Sequence, residues 1–413
     1  TLIPVYFLGR ELFGRWAGLL AAGVLTILPG EFLGRSVLGF TDHHVAEVLF
    51  STTIVLFLVL AIKSAQQKHL VFGHVKERDW EVVTKPIIYS LLAGVFLGIY
   101  LLTWLGALLF VFIITAYFVI QFVVSHLKQE STDYLCLIGC VFFLVAVIMF
   151  RPLWNINTTG RSALLIALLV PPILNGTSRL MASKRIKPVY YLMAPVAVGL
   201  VGLAILYLIS PSRLSEMLAL FSVFFPSEVA QTTLEAMPLL KFDGNWSLVL
   251  VWGNFTTTIF LSLISLGIVI FVIARHRSPE KMLLLVWSLV VLAAAVAQRR
   301  FAYYLAVNVA LLSGYFSWLF LELAGFRKQT AVSVETVPAA RPKKGRPRKG
   351  RLERRQPAGS PRTIRYIKMA LGLVAIFLLA FFPNIKPAIS VAARAAFAPS
   401  DAWMHSLSWI MNN

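Results

Sequence analysis

Charge is the first thing this sequence lacks. Only 14% of its 413 residues are charged, while 58% are hydrophobic and the mean hydropathy is +0.79. So little charge with so many apolar runs of spanning length excludes a water-soluble domain. The remaining class is an all-α polytopic membrane protein. Its apolar runs predict eleven full spans, at 16–33, 45–62, 86–104, 106–127, 134–150, 163–182, 189–209, 248–274, 281–298, 301–325 and 366–384. Residues 1–9, TLIPVYFLG, read as the end of another span. An apolar start at Thr1 without Met reads as a fragment, and the absence of a cleavable signal pattern is ordinary for a polytopic chain. Cysteine is scarce too. Cys136 and Cys140 lie one helical turn apart inside a span with no third soft ligand nearby, which excludes a thiolate metal site and leaves two small packing residues. No internal repeat is evident, which disfavours a transporter built from duplicated halves.

Acidic residues are few: 18 Asp and Glu against 38 Lys and Arg. The basic residues fall in alternate loops: around Arg10 and Arg15, from Lys63 to Lys85, at Lys128, from Arg179 to Lys187, from Arg275 to Lys281, and across 326–365. By the excess of Lys and Arg in cytoplasmic loops, that face is inside. The other face, outside, then holds 34–44, 151–162, 210–247, 299–300 and 385–413. Residues 327–368 alone carry fourteen Lys or Arg and two Glu, or twelve of the net +20. This segment, with its RPKKGRPRKGRLERR run, is rich in Pro and Gly and lacks apolar periodicity, so it reads as a disordered cytoplasmic loop. Its GRPRKGR core resembles an AT-hook. Contact with anionic lipid headgroups is the plainer reading, and no nucleic-acid partner is expected.

What the sequence does have is three polar groups on the predicted outer face. The first is Asp42-His43-His44, with Arg35 seven residues before it. Residues i and i+2 of an extended or turning segment point the same way, so Asp42 and His44 would share one divalent cation. Oxygen with some nitrogen suits Mn²⁺ or Mg²⁺ and admits Zn²⁺; the alternative is two solvated loop residues. His43 is expected to face solvent or pack, and Glu47 to cap or pair. The second group is the loop 210–247. Its first half spaces Leu214, Met217, Leu218 and Phe221 as an interfacial amphipathic helix, and Glu235 follows as a lone acid among apolar residues. The third is Arg299-Arg300, placed against the charge bias in a short outer turn. A guanidinium fork there fits a phosphate, or pairs with Glu235 or Asp243.

In these stretches the chain resembles the catalytic subunit of oligosaccharyltransferase in its single-subunit archaeal or bacterial form, along its whole length. GRSVLGFTDHH looks like the family's second acidic motif, with Asp42 and His44 in its ligand places. TTLE looks like the T-I-x-E motif of the family's large outer loop, with Thr233 in place of Ile. RRFAYYLAVNVALL looks like the arginine–phenylalanine that opens the penultimate span, with Arg300 as the arginine. The resemblance implies a transmembrane bundle of the GT-C glycosyltransferase type, in which 16–33 is the third span. The first outer loop, with the family's first metal-binding aspartate, would precede residue 1. The outer domain that carries W-W-D-Y-G would begin near 385–413.

The same resemblance implies a multi-pass cell-membrane enzyme with its site on the outer face, using a divalent cation, Mn²⁺ or Mg²⁺. It would move a glycan from a polyprenyl (di)phosphate, a lipid-linked oligosaccharide, to Asn of Asn-x-Ser/Thr in an acceptor polypeptide. Asp42 and Glu235 would be its catalytic carboxylates. Asp42, His44 and Glu235 would be metal ligands, and Arg300 and Arg35 would contact the donor phosphate. Lipid would fill the grooves between spans. The competing readings are another GT-C glycosyltransferase with a polyprenyl-phosphate sugar donor, which should lack T-x-x-E in a late outer loop, and a secondary transporter. A transporter would bury charge at mid-span, whereas here ionisable residues crowd the outer ends.

Overall fold

Backbone polar groups have no water to bind inside a bilayer, so each apolar run has to close its hydrogen bonds within itself as a helix. A computed structural model describes residues 1–37, 42–227, 233–276, 278–326, 362–393 and 401–412. The basic loop predicted at 326–365 lies almost wholly outside those residues, as do Arg277, Glu228 and Thr232.

In chain order the helices are α1 (Leu2–Phe13), α2 (Arg15–Ile27), α3 (Glu31–Gly34), α4 (His44–Gln67), α5 (Phe72–Lys76), α6 (Trp80–Thr103), α7 (Leu108–Leu127), α8 (Asp133–Met149) and α9 (Thr158–Ser183). There follow α10 (Met193–Ile209), α11 (Pro211–Ala219), α12 (Val249–Phe255), α13 (Thr258–Arg275), α14 (Pro279–Ala297), α15 (Ala302–Leu321), α16 (Arg362–Ile376), α17 (Phe382–Ala392) and α18 (Asp401–Asn412). Among the described residues nine helical segments are long and apolar enough to cross a membrane, and α2 and α8 are shorter apolar helices. Each predicted span thus has a helical counterpart. One two-stranded hairpin, Lys241–Phe242 against Asn245–Trp246, lies within 210–247.

The bundle is centred on α15, most of which is buried, from Ala302 to Gly314 without a break. It packs along α2, and α4 packs along α6. Small residues allow the close approaches, as is usual where lipid supplies no hydrophobic drive. A Cβ on Gly314 would stand 2.5 Å from the Ala21 backbone nitrogen, and one on Gly9 would stand 2.7 Å from Cα of Gly18. The Pro188–Leu208 segment lies at the periphery, with Leu200 and Leu208 turned outward to where lipid would be.

Three predicted spans have different limits. The span at 16–33 ends at Ile27, because Pro29 and Gly30 turn the chain into the short α3. The span at 248–274 is two helices broken at Thr256, whose φ is 45°. Polar residues at the break bond to neighbours instead of continuing the helix. Thr256 donates to Asn384 Oδ1 at 2.7 Å, and Asn254 Oδ1 accepts the Glu31 amide at 2.9 Å. The last span runs longer than 366–384, from Thr363 to Ala392.

Candidate active site

The apolar sequence of α4 leaves its polar residues at its N-terminal end. Asp42 lies just before the helix and accepts the His43 amide at 2.7 Å. One ligand atom from each of Asp42, His43 and His44 lies within 4.8 Å of the others, which among the described residues makes this a group fit to hold a metal ion. His44 Nε2 is 3.1 Å from Asp42 Oδ2. His43 does not simply face solvent or pack: Nδ1 contacts Asp42 Oδ1 and Nε2 is 3.0 Å from Glu47 Oε1. A carboxylate with two imidazoles is a donor set that suits a borderline divalent cation. Burial alone would raise the Asp42 carboxyl; the His43 amide, the His44 and His43 rings and the Arg35 guanidinium outweigh it and hold the group below its ordinary value.

Arg35 sits behind this group at the end of α3. Its Nε donates to Glu31 Oε2 at 2.8 Å, its Nη2 donates to Glu235 Oε1 at 2.9 Å, and its Nη1 contacts His44 Nε2. Asp42, His44, Arg35 and Glu235 are therefore neighbours in space, with one guanidinium between Glu235 and His44. Glu235 belongs to a 3₁₀ turn, Leu234–Ala236, on the loop 210–247. That loop docks on the turn between α14 and α15. The Arg299 amide donates to Met237 O at 2.8 Å, the Leu239 amide to Val296 O at 3.2 Å, and the buried Gln298 side chain to Ser222 O and Val223 O at 3.2 and 2.9 Å.

Arg300 stands apart from the carboxylates. Among the described residues neither Arg299 nor Arg300 is ion-paired with Glu235 or Asp243. Arg300 lines a cavity of about 270 Å³ whose other walls include Trp104, Leu109, Phe112, Phe221, Phe224 and Phe301. Its Nε is buried and has no hydrogen-bond partner among the described residues. The interfacial helix expected from Leu214 to Phe221 is present as α11 and the 3₁₀ turn after it, and supplies Met217, Leu220 and Phe221 to that wall. The ring of Trp104 packs on His43 at 5.3 Å, so the apolar cavity reaches the polar group. A second cavity, of about 280 Å³, has Arg35, His44 and Tyr303 in its wall.

Sequence reasoning expected Glu47 only to cap or pair, and it does pair with His43 and His44; it passed over Tyr303, Trp104 and Gln298. Glu47 had a readable signal, an acid one turn inside an apolar span, three and four residues from two histidines. The others had none, since their roles depend on which helices become neighbours.

Residues 1–340 match the family described as Oligosaccharyl transferase STT3, N-terminal. The chain is 24% identical over 431 aligned positions to dolichyl-phosphooligosaccharide-protein glycotransferase 3 of Archaeoglobus fulgidus, covering 100% of this chain and 45% of the relative. It also superposes on the oligosaccharyltransferase AglB from the same organism, solved with an inhibitory peptide and a dolichol-phosphate. There the TM-score is 0.79 and the identity 23%, over 100% of this chain and 45% of the other. A further structure from A. fulgidus, an oligosaccharyltransferase in complex with zinc and sulfate, matches with TM-score 0.67 and 20% identity over 100% and 42%. The chain thus spans less than half the length of these proteins.

Proposed function

The chain belongs to the oligosaccharyl transferase STT3 family, and from that premise we propose that it is the membrane portion of a protein N-glycosylation enzyme. Its donor is a glycan on a polyprenyl phosphate or diphosphate, and its acceptor is the side-chain amide of Asn in Asn-x-Ser/Thr. The observation that carries this reading is the Arg35 guanidinium, which joins His44 at the start of α4 to Glu235 on a loop 200 residues away from Arg35. A transport pathway or a scaffold has no need to gather acids, imidazoles and arginine at one end of a bundle.

The chemical difficulty is the acceptor, because an amide lone pair is delocalised into its carbonyl. Asp42 and Glu235 accept hydrogen bonds from the amide NH₂, orient it and favour localisation of the lone pair on nitrogen. Arg300, whose buried Nε–H has no partner among the described residues and which lines an apolar cavity, holds the donor phosphate and offsets the charge that grows as the glycosyl bond breaks. Arg35 is the second candidate for that contact. The cavity between Trp104 and Phe224 takes the first part of the polyprenyl chain. Asp42 and His44, with Glu235 from the loop, would hold a divalent cation, Mn²⁺ or Mg²⁺, which when bound supplies Lewis-acid stabilisation of the leaving phosphate. The zinc and sulfate of the archaeal structure are consistent with a cation and an oxyanion as ligands of such a site. The site faces outside the cell membrane, where both substrates are available. Residues 1–325 are then the catalytic bundle with its outer loops 34–44 and 210–247. Residues 326–362 are a cytoplasmic loop, Thr363–Ala392 are the last span, and the residues after it lie on the outer side.

The test is glycosylation of an Asn-x-Thr peptide by the full-length enzyme, titrated with Mn²⁺. Asp42→Ala and His44→Ala should move the midpoint to higher Mn²⁺, and His43→Ala should move it less. Both rings lie among carboxylates, but only His44 Nε2 also meets the Arg35 guanidinium, which donates and so leaves that nitrogen with a lone pair to present. Equal midpoints for the three variants would remove the metal assignment.

A further inference from the structure

Glu47 is a fully buried carboxylate at this end of the bundle. It lies on the first full turn of a membrane-spanning helix with no exposed surface, and a carboxylate in such a place is expensive unless every lone pair is used. They are used. Oε1 is 3.0 Å from Nδ1 of His44 and 3.0 Å from Nε2 of His43, while Oε2 accepts the Tyr303 hydroxyl at 2.8 Å and the Tyr304 hydroxyl as well. Tyr304 is in turn hydrogen-bonded to Tyr100 of α6. Two helices besides its own therefore fix the carboxylate. An acid needed only to join α4 to α15 could have stopped at the tyrosines.

The hydrogen bonds of His44 follow from its partners. A guanidinium has donors and no acceptor, so the contact between Arg35 Nη1 and His44 Nε2 makes Nε2 the acceptor. The ring proton is then on Nδ1, which donates it to Glu47 Oε1. Nε2 then carries the one in-plane lone pair of the ring, which Arg35 engages and a cation would take over by displacing the arginine; it lies 3.1 Å from Asp42 Oδ2. This is the tautomer and orientation that a metal ligand requires. Metal-binding histidines regularly owe it to a carboxylate on the other nitrogen. The Tyr303 ring, 4.9 Å from His44, limits rotation of the imidazole from the side.

We propose that Glu47 is a positioning residue, held by Tyr303 and Tyr304, that fixes the tautomer and direction of His44 so that Nε2 is presented to a divalent cation. It rests on the reading of Asp42 and His44 as ligands given above. Glu47 itself touches neither substrate nor reacting atoms.

The test is Mn²⁺ affinity of the full-length protein in detergent, by calorimetry, with melting in chelator as the control. Glu47→Gln should weaken Mn²⁺ binding by about 10–100-fold. Tyr303→Phe keeps the packing and removes one hydrogen bond to Glu47, so it should weaken binding in the same direction by less. It also decides the matter if Glu47→Gln does not fold. With ¹⁵N-labelled histidine, assigned by loss of the signal in His44→Ala, the parent should show His44 Nε2 unprotonated, and Glu47→Gln should show a mixture of tautomers. A residue that merely joined helices would lower melting and leave affinity and tautomer alone. Parent and folded variants binding Mn²⁺ equally well, with the same ¹⁵N signature, would overturn the positioning role. A parent that binds no Mn²⁺ would instead overturn the metal site itself.

Discussion

Glu235 and Glu31 hold the same arginine, but what each loses on neutralisation differs. Glu31 is fixed to α3 and pairs with Arg35 at an i, i+4 spacing. Glu235 reaches Arg35 from a loop, and more than half of its side chain remains exposed. Glu235→Gln keeps the shape and removes the charge, so it should lower turnover of an Asn-x-Thr peptide by the full-length enzyme by about 10²–10³. That is the loss typical of one preorganised transition-state contact. Melting should change much less than turnover, because Glu31 still holds the buried Arg35 when Glu235 is neutralised. Glu31→Gln should cost much less in rate. Turnover that survives Glu235→Gln would place the acceptor carboxylate elsewhere on the loop.

At the scale of elements, the site depends on two helix interruptions that the apolar pattern conceals. Gly30 has φ 81° and ψ −151°, a conformation essentially confined to glycine. A Cβ there would lie 2.5 Å from Asn254 Oδ1, the atom that accepts the Glu31 amide. The turn therefore aims α3, and with it Arg35, at Glu235 and His44. Gly30→Ala should cost about 1–3 kcal/mol in backbone strain, lower the melting temperature in detergent, and reduce turnover through displacement of Arg35. Unchanged melting and turnover would mean that α3 is held by other contacts. The break at Thr256 serves the same junction from the other side, because α12 carries Asn254. Helix α15 joins these parts. Its first turn supplies Tyr303 and Tyr304 to Glu47, and the residues just before it dock the loop that carries Glu235.

For the whole molecule the open question is direction, and it has a direct measurement. With Cys136 and Cys140 replaced by Ser, single cysteines Thr158→Cys, Ala230→Cys and Ser400→Cys should react with an impermeant thiol reagent in intact cells. Gly345→Cys should react only after lysis. Labelling of position 345 from outside would reverse the orientation and move the proposed site to the cytoplasmic face.

The sequence by itself determined that the chain is a polytopic helical bundle and roughly where its apolar helices run, though not the limits of three of them. Lipid imposes the helix on any apolar run of sufficient length, so hydropathy alone is a sufficient signal. The sequence also marked Asp42, His44, Glu235 and the paired arginines, since ionisable groups among apolar ones stand out without knowledge of their neighbours. Pro29-Gly30 was a turn signal inside an apolar run, but the break at Thr256 was not readable, because it turns on a hydrogen bond to Asn384 from a distant segment. Nor could the sequence bring Glu235 to Arg35 or assign Glu47 its work. Only the tertiary structure decided those, since a contact across 200 residues, or between a carboxylate on α4 and two hydroxyls on α15, exists only once the helices have chosen their neighbours.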